Sequence, residues 1–323
     1  MMVIDPVILC TNLFVLLVGF ALLMKGADIF VDGASNVAYN YGIPAVIVGL
    51  TIVAFGTSAP EAAISMNLAY SGNTTAAIGN VVGSNIFNIL GVIGVSALLG
   101  TLTVDKILIK RDFPFLIVST IGLLLIAIFL GTIDRPCGAI FLAIIIAYVY
   151  YLVKKAGEDK EAISEESEIK LTVPKATIYI LIGIVGIIIG SELVKYGANN
   201  IAGTFGMSEE LIGLTVLAIG TSLPELATSV SALKKGETGI VVGNVLGSSI
   251  FNILFILGIT SVIKPIKIEA DMVLDIFLMT IITIVGAWFT YTKSEVDKKE
   301  GAILVILYIA YMVFTVLRYY GLI

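Results

Sequence analysis

Gly56-Thr57-Ser58-Ala59-Pro60-Glu61 interrupts a long apolar run, and it returns as Gly220-Thr221-Ser222-Leu223-Pro224-Glu225 inside a second such run. Each run is long enough to cross a bilayer, so each carries a carboxylate to membrane depth. An ionised acid there costs roughly 2.5–3.5 kcal/mol on insertion scales. Filling a helical bundle does not require that cost, still less twice at matching places. The two acids therefore mark a functional site. The fold must bring two membrane-embedded copies of one motif into use.

The motif belongs to a longer duplication. With a constant shift of 164 residues, Gly49–Glu61 matches Gly213–Glu225 at nine of thirteen positions. A second block, Gly79-Asn80-Val81-Val82-Gly83-Ser84-Asn85-Ile86-Phe87-Asn88-Ile89-Leu90, returns over Gly243–Leu254 with ten of twelve residues identical. The shared residues are mostly polar or small, which generic hydrophobicity does not produce. Duplication with retained chemistry accounts for them.

Composition sets the environment. Of 323 residues, 58% are apolar and only 13% charged, against about 25% charged in soluble domains. The chain reads as all-α and polytopic in a membrane. A net charge of −5 without a basic tract excludes nucleic acid as a partner. No Lys or Arg precedes the first apolar run, so that run is expected to stay as a span and not to be cleaved as a signal. The two cysteines, Cys10 and Cys137, have no metal-type spacing. Histidine is absent, which removes Ser–His catalysis, His ligands and His proton relays.

About 20 apolar residues cross the hydrocarbon layer. That ruler gives ten transmembrane helices, near 7–25, 44–70, 76–99, 113–131, 136–153, 175–195, 208–233, 240–262, 270–291 and 301–320. Alternate connections hold 14 of the 19 Lys and Arg residues, and the opposite face holds five. The basic face is expected to be cytoplasmic, with both termini outside. The repeat shift covers five spans, an odd number, so the halves are expected to be inverted-topology five-helix repeats. Their expected bounds are 1–153, with its motif over about 44–99, and 175–323, with its motif over about 208–262. A cytoplasmic connecting loop, 154–174, separates them. Its acidic residues, Glu158, Asp159, Glu161, Glu165, Glu166 and Glu168, alternate with Lys and read as a solvated linker.

The motif chemistry is all oxygen. Pro60 leaves the Gly56 carbonyl without its helical donor and opens the turn. Thr57, Ser58 and Glu61 fall on or near one helix face, as do Thr221, Ser222 and Glu225. Ser84 with Asn88, and Ser248 with Asn252, are i,i+4 pairs on the following spans. Gly79 and Gly83, repeated at Gly243 and Gly247, have the spacing that lets backbones approach, and are expected to press span three onto broken span two. Such a set suits hard cations: Ca²⁺ takes six to eight oxygens. Two carboxylates neutralise one Ca²⁺ or two Na⁺, and an empty site leaves two charges unpaired. That favours exchange over leak. Asp28 with Lys25, and Glu192 with Lys195, read as interfacial anchors at the ends of spans one and six.

The two blocks resemble the α-repeats of the cation/Ca²⁺ exchanger superfamily, most closely its prokaryotic Na⁺/Ca²⁺ exchanger branch, over essentially the whole chain. The resemblance implies a Na⁺/Ca²⁺ antiporter, no enzyme, working by alternating access in the plasma membrane, with spans one and six sliding as a unit. It implies metal-binding roles for Ala54, Thr57, Ser58, Glu61, Ser84, Asn88, Ala218, Thr221, Ser222, Glu225, Ser248 and Asn252, with Ala54 and Ala218 acting through their carbonyls. The expected partners are small inorganic cations and the bilayer, with no cofactor and no second protein; the unit is a monomer. Asn252, where K⁺-dependent members carry Asp, argues against K⁺ coupling, and the absence of His argues against H⁺ coupling. Those couplings of the same fold stay as alternatives. An intramembrane hydrolase using Ser58 or Ser222 and a channel are the more distant ones.

Overall fold

A computed structural model describes residues 6–158, 171–205 and 218–322. The acidic linker residues from Asp159 to Glu168 and the start of the seventh expected span lie outside the described residues. The rest is helical apart from four two-residue strands. The helices are α1 (Pro6–Tyr41), α2 (Ala45–Thr57), α3 (Ala59–Ser71), α4 (Thr74–Leu99), α5 (Leu108–Phe129) and α6 (Arg135–Glu158). They continue with α7 (Val173–Thr204), α8 (Ala218–Thr221), α9 (Leu223–Lys234), α10 (Thr238–Ile263), α11 (Ala270–Lys293) and α12 (Lys298–Tyr319). Among the described residues, eight helices are long and apolar enough to cross a membrane, or nine with α2 and α3 taken as one bent span.

The broken span forms as its residues dictate. α2 ends at Ser58, whose ψ of 4° leaves the helical region. α3 restarts with Pro60 in its first turn, where a missing N–H costs nothing. The two pieces are bent by 46°. The second motif repeats this at Ser222 between α8 and α9, with Pro224 again in the first turn.

α1 and α7 are longer than expected. The reading near 7–25 becomes a 36-residue helix, about 54 Å long, and 175–195 becomes a 32-residue one. Helices of that length exceed the roughly 30 Å of hydrocarbon that a span must cross. They lie antiparallel along a seam of glycines spaced by seven, Gly19, Gly26 and Gly33 against Gly183, Gly190 and Gly197. A Cβ on Gly26 would stand 2.7 Å from the Ile187 nitrogen, and one on Gly190 would stand 2.4 Å from the Leu23 nitrogen. The helices touch backbone to backbone, as small residues permit. Lys25 and Lys195 are therefore inside helices and not at span ends.

The glycines of the second block meet a different partner from the one expected. Gly243 and Gly247 of α10 face Val46, Leu50 and Ala54 of α2, across the two sequence halves. Among the described residues, a Cβ on Gly79 would meet only the Met272 methyl, at 3.5 Å, and one on Gly83 would meet nothing within 4 Å. Neither contacts α2. Gly94 packs on α12 and Gly258 on α6, so each half leans on helices of the other.

The strands join the halves too. β1 (Leu102–Thr103) pairs antiparallel with β4 (Glu295–Val296), Leu102 opposite Val296. β2 (Thr132–Ile133) pairs with β3 (Ile266–Lys267), Ile133 opposite Ile266.

Candidate functional site

The two motif breaks meet in the interior. Thr57, Ser58, Glu61, Thr221, Ser222 and Glu225 are all buried, as are Ser84, Asn88, Ser248 and Asn252. Ser58 Oγ donates to Glu225 Oε1 at 2.9 Å, across 167 residues of chain. Thr57 Oγ1 donates to Asn244 Oδ1 at 3.2 Å and stands 3.4 Å from Ser248 Oγ. The Ala54 carbonyl takes Thr57 Oγ1 at 3.3 Å and Ser248 Oγ at 3.5 Å. Glu225 acts electrostatically on Glu61, and Ser222 interacts with Glu61 without reaching hydrogen-bond geometry. The two carboxylates thus share one buried region.

The local helix geometry presents these groups. Ser58 N–H reaches four residues back to the Ala54 carbonyl at 3.0 Å, whereas Ser222 N–H reaches only three back, to Ile219 O at 3.1 Å. Asn88 and Asn252 each sit in a π-helical turn, Phe87–Val92 and Asn252–Ile256. Such single wide turns are frequent at functional sites.

Much of this oxygen has no partner. Both carboxylate oxygens of Glu61, Oε2 of Glu225, the hydroxyls of Ser84 and Ser222, both polar atoms of Asn88 and Oδ1 of Asn252 are buried without a hydrogen bond. Buried polar groups are normally satisfied, and each exception needs a reason. A cation held among them supplies one, because every unpaired atom except Asn88 Nδ2 is an oxygen. Ala218 begins α8, in the position that Ala54 holds before the first break. Among the described residues, no three Asp, Glu, Cys or His side chains are placed to hold a metal ion together. Both cysteines are free.

Several participants escaped the sequence reading. Asn244 accepts from Thr57 and donates to the Glu225 carbonyl at 3.4 Å and to Ser229 at 3.3 Å. Asn85 donates to Ser249 O at 3.2 Å and accepts from Asn252 Nδ2 at 3.1 Å. The repeated Gly-Asn pair, Asn80 and Asn244, was the available signal. Lys195 is only 5% exposed: its stem packs over Gly220, where a Cβ would stand 2.5 Å from Lys195 Cγ. Its ammonium pairs with the exposed Glu192 and acts electrostatically on Glu61. It is a second-motif neighbour and not an anchor. Asp28 ties α1 to α9, accepting from Ser231 Oγ at 2.6 Å.

Comparison with known proteins agrees with this geometry. The family described as sodium/calcium exchanger protein matches residues 11–154 and 175–317. CaxA of Alkalimonas amylolytica is 41% identical over 314 residues, covering 94% of this chain and 98% of that one. Sodium/calcium exchanger MaX1 of Methanosarcina acetivorans is 30% identical over 342 residues, covering 94% and 97%. A solved structure of the sodium-calcium exchanger NCX_Mj superposes with a TM-score of 0.81 at 30% identity, covering 93% of this chain and 97% of that one. The chain belongs to the sodium/calcium exchanger protein family, and it is a membrane transporter and not an enzyme.

Proposed function

We propose that the chain exchanges Na⁺ for Ca²⁺ by alternating access at a site built from Thr57, Ser58, Glu61, Ser84, Asn88, Thr221, Ser222, Glu225, Ser248, Asn252 and the carbonyls of Ala54 and Ala218. The observation that carries this reading is the unpartnered oxygen around two carboxylates buried together. Removing one member of a buried charge pair costs about 3–5 kcal/mol. A site with two acids and no cation faces a penalty of that kind, so loaded forms are favoured in transit. One Ca²⁺ or two Na⁺ balance the acids equally, which makes the ions alternatives for one site. The relatives MaX1 and NCX_Mj are named for the same exchange.

The strand ladders support ten spans in two inverted repeats, 1–153 and 175–323, joined by 154–174. β1 and β4 are hydrogen-bonded, so they share a face, and an even number of crossings separates them. α5, α6, α7, α10 and α11 supply five. The broken pair α8 and α9 is then counted as the sixth. The same parity holds between β2 and β3. With the basic connections inside, both termini lie outside, in the plasma membrane. One chain contains both motifs, so a monomer suffices.

Vesicles containing the purified protein test the coupling. An outward Na⁺ gradient imposed alone should drive Ca²⁺ uptake, while K⁺ or H⁺ gradients imposed alone should not. Uptake that ignores Na⁺ and follows the proton gradient would give the fold a different coupling ion.

A further inference from the structure

Among the described residues, Lys195 is the one lysine or arginine that the fold buries. It stands within α7, where an ammonium is costly. The fold holds it against the second motif. For a Cβ placed on Gly220, the three nearest atoms all belong to Lys195, with Cγ at 2.5 Å and Cδ at 3.1 Å. One turn earlier on α7, Ser191 Oγ donates to the Gly220 carbonyl at 3.3 Å. Thr221 and Ser222 follow Gly220 directly, and Ser222 interacts with Glu61. Lys195 and Glu225 both act electrostatically on Glu61. The lysine therefore covers the break that carries the second set of site oxygens.

The duplication shows that packing does not ask for a lysine here. At the shift of 164 residues, Lys195 corresponds to Val31, which is fully buried. The first motif glycine, Gly56, is covered by Phe30, whose Cζ would lie 2.8 Å from a Cβ there. Apolar side chains close the first break. Only the second has a positive charge laid over it.

The ammonium pairs with Glu192, one turn back on the same helix. The two side chains are solvated very differently: Lys195 is 5% exposed and Glu192 is 59% exposed. Ser191 touches the motif, so Glu192 stands at the level of the motif, where an exposed acid faces water-filled space and not lipid. Water and dissolved ions screen an exposed charge far more than a buried one. Counted as integers the pair cancels, and the ion balance argued above is unchanged. Felt from the site it does not cancel. The buried ammonium dominates, and a cation arriving beside Glu61 meets its repulsion.

We infer that Lys195 is a fixed positive charge that lowers the affinity of the two-acid site for cations. A carrier has to release its ion on every crossing, so binding weak enough to leave matters as much as binding strong enough to enter. Two carboxylates buried among unpartnered oxygens favour tight retention, and the ammonium opposes it from the second motif. The inference rests on the exchange site proposed above.

Isotopic Ca²⁺ binding to the purified full chain in detergent, without Na⁺, tests it. K195M keeps a long apolar side chain over Gly220 and removes the charge, so the half-saturating Ca²⁺ concentration should fall on the order of tenfold. In vesicles the same variant should saturate at lower Ca²⁺ and reach a lower maximal flux, because release is slowed. K195R keeps the charge and should not tighten binding. E192Q removes the counter-charge and should raise the half-saturating concentration. A pair that served structure alone would give both losses the same sign. K195Q takes the place of K195M where that variant does not fold. Unchanged or weaker binding in the folded neutral variants overturns the inference, as does tighter binding in K195R or E192Q. E61Q separates this inference from the reading beneath it. Ca²⁺ binding that survives E61Q overturns both. Binding lost in E61Q but unaltered in K195M leaves the site standing and overturns the role of Lys195.

Discussion

At the scale of single residues, the chemistry is set by which oxygens are left over. Glu61 has both carboxylate oxygens free of partners, whereas Glu225 already holds Ser58. Glu61→Gln should reduce Ca²⁺ transport in vesicles by at least about a hundredfold, the order expected when one of two buried charges is lost. Near-normal flux would remove Glu61 from the site. Ser58→Ala should act more gently. A hydrogen bond to a charged group contributes about 1.5–3 kcal/mol, so the half-saturating Ca²⁺ concentration should rise about tenfold or more in a flux titration. Thr57, Ser58 and Glu61 were legible because polar residues in an apolar run are costly, and a costly feature that recurs stands out. Asn244 was not. An asparagine beside a glycine reads as packing, and what gives it a role is Thr57, 187 residues away.

At the scale of elements, the broken helix could be read from Pro60 and Gly56, but the reach of α1 and α7 could not. Lys25 and Asp28 look like the end of a span, and Asp32 follows one turn later. The two acids stay within a helix because the end of α9 satisfies them: Ser231 donates to Asp28, and Lys235 pairs with Asp32 at 2.6 Å. The glycine seam makes a sharp prediction. Gly26→Leu has no space to enter, since backbone of α7 lies within 3 Å of its Cβ. Overpacking costs about 1–3 kcal/mol or more, and the thermal midpoint in detergent should fall while Gly122→Leu, where nothing lies within 4 Å, leaves it in place. α12 carries a pH dependence of its own. Asp297 caps its first turn, accepting from Lys299 and Glu300 N–H at 2.9 and 3.0 Å. Those bonds, the Glu300 N–H first and then Lys293, hold its carboxyl below the usual range. A depressed folded-state pKa stabilises above the unfolded value and is lost as pH falls through the folded one. Thermal midpoints should thus decline on acidification below about pH 4, and Asp297→Asn should flatten that decline.

At the scale of the whole molecule, the duplication made two matching halves legible, because thirteen- and twelve-residue blocks recur at a fixed shift. How the halves interlock was not legible. Two-residue strands carry no periodic signal, and Gly243 gives no hint that its neighbour is Val46 and not a residue of its own half. The interlocking predicts that a chain cut by an engineered protease site within 159–170 stays assembled. Both fragments should elute together in detergent, and separation would show that the ladders and glycine contacts do not hold the halves. The pattern of those ladders also constrains motion. Each rim is laced by one strand from either half, and neither α1 nor α7 supplies a thread. A frame tied at both hems cannot gape like a pair of jaws. The exchange proposed above then predicts that the opening for ions lies at α1 and α7, the long pair left outside the stitching.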